Sequence, residues 1–391
     1  MKKALVYYLY GNRNAGDMAI CMGTIEFLQR HGYVVTMVSR FSEAEEEYQR
    51  SKDYVAEYYP DVTVYPGPFS FERDFSALKK LTAYATSVLK VAGIKADTMT
   101  RKLISEHDVV FFNGGNLLRG ASITDYARLV ALFYPIRIAF NMGKPVFCLP
   151  QSTAGISELG EKQLKKYMGF FKEIYVREKI SYKELTKRFP EYVFVESTDM
   201  AFHCKDTETA KKKYSDLRLK LTGKDIAVVV RNTGIGDIGT LSKKKQECLL
   251  SELDSFILNH GDFHYWIVIQ TVKDREFSNY VFNRYEEKAD LIECNDPMLL
   301  REIYKNMDML VSMRLHAAIL SLSALTPVMG IFSEEWGLKN PGIMEDYHMP
   351  FTIVEENGNV PLIEIGDEKK EGIAKDIHTY SQSIENLFHN I

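Results

Sequence analysis

The sequence predicts an α/β protein made of two blocks of parallel sheet, and three observations point there. Short apolar runs alternate with segments whose apolar residues recur at helical spacing, the pattern of strands joined by crossover helices. The chain has 391 residues, which at roughly 100–200 residues per domain suggests two domains. A densely charged stretch with no strand pattern, KDTETAKKKYSDLRLKLTGKD (Lys205–Asp225), separates the alternating blocks.

The first strand is expected at Lys3–Leu9. Its basic start resembles a leader peptide, but the apolar run is short, rich in tyrosine and ends in Gly-Asn-Arg-Asn, so a buried strand fits better. A helix over Asp17–His31 opens after Gly16. Further strands are expected at Val34–Ser39, Val62–Tyr65, Asp108–Asn113, Pro145–Leu149, Glu173–Val176 and Val193–Glu196, with a long apolar-faced helix over Asp125–Met142. In the second block the same pattern gives strands at Asp225–Arg231, His264–Gln270, Leu291–Glu293, Met309–Ser312 and Pro327–Ile331, and helices at Met298–Asn306 and Leu315–Ala324. The tail from Gly372 to Ile391 has a helical pattern. The expected division is therefore 1–204, a linker over 205–224, a second domain over 225–371, and a terminal helix over 372–391 that packs back on the first domain.

Composition excludes several classes. Hydrophobic residues make up 46% and charged residues 26%, the mix of a soluble globular protein rather than a disordered one. A net charge of −4 supplies no basic field for nucleic acid. No apolar run reaches membrane-spanning length. Cys21, Cys148, Cys204, Cys248 and Cys294 are scattered and odd in number, which fits reduced thiols in the cytoplasm and no structural zinc site. His260 and His264 are four apart, but Gly261 breaks the helix that would align them on a metal.

One segment, Ser76–Ile104, holds six Lys or Arg against one Asp, a local balance of +5. Leu78, Leu81, Tyr84, Ala85, Val88, Leu89 and Ala92 recur at helical spacing. This describes either a surface helix with its apolar face on the core, or a helix over residues 76–104 that touches an anionic membrane surface from the cytoplasmic side or a lipid-phosphate acceptor.

Ligands of open α/β sheets sit beyond the carboxyl ends of the strands, so the residues after each strand carry the chemistry. After the first strand comes GNRNAGDMAI, with Asn14 and Asp17 beside a helix start that attracts polar ligands. Asp17 is either a first-turn acid favoured by the helix dipole or a contact for a sugar hydroxyl. NGGNLLRG places Asn113 and Asn116 around paired glycines, either a plain turn or a close approach to a ligand. LPQSTAGI is a further polar strand end. Arg177 in VREKIS leaves a strand just before a helix, as a ligand contact or a solvated surface arginine. Arg231 in VVVRNTG ends a fully apolar strand. Finally, Arg314 and His316 of SMRLHAAILSLSAL fall at a strand–helix junction. Cations at a helix start oppose the macrodipole, a conflict that an anionic ligand relieves.

These stretches, with TDMAF and the segment through VMGIF, occur in an order that resembles the polysaccharide pyruvyl transferase family, over roughly Gly11 to Lys339. The family's fold is similar to that of GT-B glycosyltransferases, so the resemblance implies two Rossmann-like domains facing across a cleft. It also implies transfer of the enolpyruvyl-derived group of phosphoenolpyruvate to two hydroxyls of one sugar, free or lipid-linked, in cell-surface polysaccharide synthesis. The product would be a cyclic pyruvate ketal and phosphate. No cofactor or metal is implied beyond phosphoenolpyruvate as co-substrate. Arg314 matches an anion clamp, and His316 matches the family's proposed catalytic histidine. Arg231, Arg177 and Lys339 are candidates for the donor, while Asp17, Asn14, Asn113 and Asn116 would line the acceptor side. Phe332 stands where relatives often carry tyrosine. Two other readings compete: a GT-B glycosyltransferase using a nucleotide sugar, and a non-catalytic relative that binds glycan or a partner enzyme. The second block lacks an acidic ribose-binding pattern, which counts against the first. Retention of Arg314 and His316 counts against the second.

Overall fold

A computed structural model describes residues 1–69, 85–93, 97–234, 239–337, 339–354 and 367–389. The chain forms two compact units. One comprises Met1–Asn12, Ile20–Met200 and Ser383–Ile391, the other Arg13–Ala19 and Ala201–Gln382.

The first unit is a parallel sheet. Its strands are β1 (Lys3–Leu9), β2 (Val34–Ser39), β3 (Thr63–Tyr65), β4 (Val109–Phe112), β5 (Gly115–Gly120), β6 (Val146–Ile156), β7 (Glu173–Val176) and β8 (Phe194–Glu196). The order is β3-β2-β1-β4-β6-β7-β8, with β5 continuing the line of β4 along the far half of β6, Gly115 opposite Gln151. β4 is buried at every position, as a strand covered on both faces requires. Helices α1 (Ala15–Arg30), α2 (Glu46–Tyr58), α3 (Thr98–Glu106), α4 (Ile123–Asn141), α5 (Glu158–Met168) and α6 (Lys179–Arg188) follow in turn. Side chains cap several of them: Asp97 accepts from Thr100 N–H, Ser122 from Asp125 N–H and Ser157 from Gly160 N–H.

The second unit holds β9 (Asp225–Val229), β10 (His264–Ile269), β11 (Ala289–Glu293), β12 (Met309–Ser312), β13 (Val328–Phe332) and β14 (Phe351–Ile353), ordered β11-β10-β9-β12-β13-β14 and all parallel. Counted within the sheet this is the order 3-2-1-4-5-6 of a doubly wound Rossmann sheet. Its helices are α7 (Glu208–Leu217), α8 (Lys243–Asn259), α9 (Arg275–Arg284), α10 (Pro297–Lys305), α11 (Leu315–Ser323), α12 (Lys339–Asp346) and α13 (Asp367–Glu385).

Three elements depart from the sequence expectation. β5 lies inside the stretch expected to be a turn, and β14 was not expected. α7 occupies the expected linker, capped by Thr207 and pinned within the second unit by Lys213–Asp296 (2.8 Å) and by Asp206 with Arg301 and Lys305. In the basic segment, residues 70–84 and 94–96 lie outside the described residues. Within it, 85–91 is helical, and Val88 and Leu89 are 48% and 39% exposed instead of facing the core. All five cysteines are free thiols. Among the described residues no helix is long and apolar enough to cross a membrane.

Two residues expected at the ligand edge are instead held inside the first unit. Asn113 is fully buried, and its side chain is saturated. Nδ2 donates to Tyr8 O (2.9 Å) and Cys21 Sγ (3.3 Å), and Oδ1 accepts from Thr24 Oγ1 (2.8 Å) and Gly114 N (2.9 Å). An acceptor sugar would have to break these bonds to reach it. Arg177 is not a solvated surface residue. It is 5% exposed, paired with Asp199, donates to Ser152 and lies 3.7 Å from Glu178. Ser152 and Ser181 in turn donate to Glu178. Burial alone would lower the guanidinium's pKa, but Asp199 and Glu178 outweigh it and raise it above the ordinary value. The LPQSTAGI, VREKIS and TDMAF stretches thus meet in one buried polar network. Arg177→Met should remove the buried cation that pairs with Asp199 and Glu178 and destabilise the first unit by about 3–5 kcal/mol. Urea unfolding measures this. A loss below about 1 kcal/mol, the worth of an exposed pair, would refute the assignment.

Candidate active site

The second sheet reverses its order between β9 and β12, the place where a doubly wound fold opens a crevice beyond its carboxyl ends. β9 and β12 are in register with Val229 opposite Ser312, and Met313 N donates to Val229 O (2.9 Å). The residues that follow these two strands are Arg231 and the Arg314–His316 pair. β9 ends at Val229, two residues before the expected Arg231, so the arginine emerges from the strand.

Ser312 shapes the junction after β12. Its hydroxyl accepts from Arg314 N–H (3.1 Å) and donates to Arg314 O (2.8 Å). Arg314 takes the N-cap position of α11 with extended backbone (φ −127°, ψ 133°), and His316 falls in the first turn. The Arg314 side chain, 15% exposed, forms a salt bridge through Nε with Asp274, which follows β10 and is 1% exposed. A buried carboxylate thus fixes the fork that the sequence singled out, and it offsets the charge that the start of α11 disfavours.

Arg231 donates to the residues that follow it in the chain. Nε donates to Thr233 O (3.2 Å) and Oγ1 (3.1 Å), and Nη2 to Gly234 O (2.5 Å). Its Cζ lies 5.0 Å over the ring of Trp336, whose indole N–H donates to Thr233 O (2.8 Å). Trp336 follows β13, so the loops after two strands brace one guanidinium. A cation over an indole gains about 0.5–2 kcal/mol. Lys339, partly buried, opens α12 just beyond.

His316 meets the segment Arg13–Ala19 of the same unit. A Cβ placed on Gly16 would lie 2.3 Å from His316 Nδ1 and 2.5 Å from its Cγ, so the glycine backbone packs against the imidazole. Asn14 holds that backbone. Its Oδ1 accepts from Gly16 N–H (3.1 Å), its carbonyl accepts from Met18 N–H (3.1 Å), and its Nδ2 donates to Asp17 Oδ2 (3.0 Å). Asn14 is therefore first a cap of α1, and Asp17 its partner. Asn116, on β5 of the first unit, has a buried Oδ1 with no hydrogen-bond partner among the described residues.

The second unit thus collects Arg314, His316, Arg231 and Lys339 at one sheet edge, with Asp17 and Asn14 on the segment that includes Gly16. Arg177 and Asn113 belong to the interior of the first unit. Sequence reasoning missed Asp274, Thr233, Trp336 and the role of Gly16. Trp336 was the most accessible of these, because a tryptophan just past an apolar strand marks an edge with something to stack on. Asp274 carried no local signal, since its partner is 40 residues away. His260 and His264 separate, with His260 bonded to Phe256 O (2.9 Å) and His264 to Asp290 (3.1 Å).

Solved structures with a similar fold include a glycosyltransferase from Rickettsia africae ESF-5, with TM-score 0.55, 12% identity and coverage of 99% of this chain and 97% of that one. UDP-GlcNAc 2-epimerase from Neisseria meningitidis, bound to UDP-GlcNAc, gives 0.54 at 12% identity, covering 100% and 93%. Phytolacca americana UGT2, complexed with UDP-2fluoro-glucose and pterostilbene, gives 0.56 at 8% identity, covering 100% and 98%. At these identities they establish a GT-B-like fold of two Rossmann-like domains and nothing about chemistry. No curated protein matches significantly. The polysaccharide pyruvyl transferase family model matches residues 14–331, spanning Asn14, Gly16, Asp17, Arg231, Arg314 and His316, and the chain belongs to that family.

Proposed function

We propose that this protein moves the enolpyruvyl-derived group of phosphoenolpyruvate onto two hydroxyls of one sugar, in a cell-surface polysaccharide or its lipid-linked precursor. The observation that carries the reading is the placement of two oriented arginines and a histidine after β9 and β12, at the switch point of the second sheet. Phosphoenolpyruvate brings a carboxylate and a phosphate, and guanidinium forks bind both.

The chemistry follows from those groups. Protonation of the donor's methylene carbon makes the adjacent carbon, which bears the carboxylate and the phosphate ester, electrophilic. One sugar hydroxyl adds there and releases its proton. The carbon–oxygen bond to phosphate then breaks, the second hydroxyl closes the ring, and its proton leaves. Histidine, with an ordinary pKa near ~6.5, exchanges protons at neutral pH, and His316 takes that role. Arg314 and Arg231 hold the two anionic groups and receive the leaving phosphate, with Lys339 as a further phosphate contact. Asp17 and Asn14 are proposed contacts for the acceptor's hydroxyls. Arg177 and Asn113 have no part in this scheme, because their bonding is internal to the first unit.

The test is incubation with phosphoenolpyruvate and a panel of sugars and lipid-linked sugars. Phosphate release with a product heavier by pyruvate minus water is expected. Turnover of a nucleotide sugar with phosphoenolpyruvate left unused would favour a glycosyltransferase instead. His316→Ala should lower kcat by about 10²–10⁴-fold, the usual worth of a positioned proton-transfer group, with little change in donor binding. Arg314→Ala should weaken the donor and also lower kcat. Both variants at wild-type rates would remove the site assignment.

Asp274 supplies a separate prediction. Asp274→Asn keeps a hydrogen-bond acceptor for Arg314 but removes the charge that fixes its fork. The KM for phosphoenolpyruvate should rise about tenfold, equivalent to about 1.4 kcal/mol, with kcat changed less. An unchanged KM would show that Asp274 serves stability alone.

A further inference from the structure

We propose that Gly16 is the positioning residue for the His316 imidazole: the absence of a side chain at position 16 sets where the ring stands. The inference rests on the reading of His316 as the proton-transfer group.

Nothing in the local backbone calls for glycine there. Gly16 is not among the glycines with positive φ, and it sits in the first turn of α1, where alanine is the better helix former. What requires glycine is space. A Cβ at this position would stand 2.3 Å from Nδ1, 2.5 Å from Cγ and 2.8 Å from Cβ of His316, all inside van der Waals contact. The three atoms run from the base of the side chain to the ring, so the glycine meets the imidazole along its length.

The two sides of this contact differ in freedom. The segment carrying Gly16 is tied by Asn14 Oδ1 to Gly16 N–H (3.1 Å), by Asn14 O to Met18 N–H (3.1 Å) and by Cys204 Sγ to Ala19 O (3.3 Å). The ring of His316, where the two shortest contacts fall, can yield by rotating about its side-chain torsions, while its Cβ and backbone are set by the Ser312 junction and α11. An added methyl group therefore displaces the ring. A proton-transfer group moved by about 1 Å costs on the order of 10²-fold in rate, while anion binding by the arginines is left alone.

Gly16→Ala, His316→Ala, His316→Gly and the double variant of Gly16→Ala with His316→Gly test this. The His316 ring resonance in ¹H–¹³C NMR spectra, identified by its loss in His316→Ala, should shift in Gly16→Ala. The melting temperature should fall in Gly16→Ala, but adding Gly16→Ala to His316→Gly should not lower it, because the ring and the Cβ that obstruct the methyl are both gone. With phosphoenolpyruvate and acceptor, kcat should fall at least tenfold with the donor KM within twofold of wild type. An unmoved resonance, or an equal melting loss in both backgrounds, overturns the inference. If Gly16→Ala fails to fold, the double variant decides: it should fold, and its failure would place the cost of the methyl elsewhere than at His316. The resonance and melting readouts need no turnover. Wild-type protein inert toward phosphoenolpyruvate would therefore refute the proposed reaction and leave the placement of His316 to be judged by them.

Discussion

The candidate site depends on one pairing, the parallel alignment of β9 with β12. Because the strand order turns back at that pair, the chain leaves β9 toward one side of the sheet and β12 toward the other. The gap this opens is where Arg231 and Arg314 emerge. The alignment extends past the strands themselves: Met313 N donates to Val229 O, and Arg231 N approaches Met313 Sδ at 3.5 Å. The backbones before the two guanidiniums are therefore fixed against each other. β10 then contributes Asp274 and β13 contributes Trp336, so four adjacent strand ends share the work of placing two cations.

Three arginines that look alike in sequence have different fates, and the neighbouring acids decide which can receive an anion. Arg177, Arg231 and Arg314 each follow an apolar strand. Arg177 lies between Asp199 and Glu178 and is buried, so an incoming phosphate would face two carboxylates before it met the cation. Arg314 pairs through Nε with the buried Asp274, which orients the fork. Arg231 donates to carbonyl oxygens and lies against an aromatic face, contacts that orient it. Arg177 is therefore poorly placed for an anionic donor, for electrostatic reasons that no reading of strand positions contains.

Much of the architecture was legible because both sheets are parallel and covered on both faces. Their strands are continuous apolar runs: Lys3–Leu9, Val34–Ser39, Glu173–Val176 and Met309–Ser312 match to the residue. What escaped was fixed by tertiary partners. β5 contains glycine and asparagine and reads as a turn, yet β6 continues past it, and a paired edge overrides weak strand propensity. α7 has one buried residue, Ala210, so it shows no apolar stripe, and ion pairs with distant residues hold it. At the site, Arg314 and His316 were visible because charge in an apolar segment is locally anomalous. Asn113 was equally visible, but an asparagine saturated by Tyr8, Cys21 and Thr24 looks in sequence like one that awaits a ligand.

The glycines make the same distinction at the scale of single atoms. Several occupy positions where a Cβ has no room, and the atom it would meet shows what the glycine serves. At Gly160 it is the Gly120 carbonyl oxygen, at 2.1 Å, so the pair lets α5 lie on β5. At Gly115 (φ +133°) it is the Tyr10 hydroxyl, which donates to Gly114 O (2.7 Å), so this glycine closes the β4–β5 line. Both contacts join parts of the scaffold. Gly16 meets an imidazole, on a helix turn that would be more stable with alanine. A locally unfavourable residue persists where a wider constraint selects it, and the constraint here is the position of one ring. In this chain a fold glycine and a site glycine are told apart by the neighbouring atom, which the sequence does not contain.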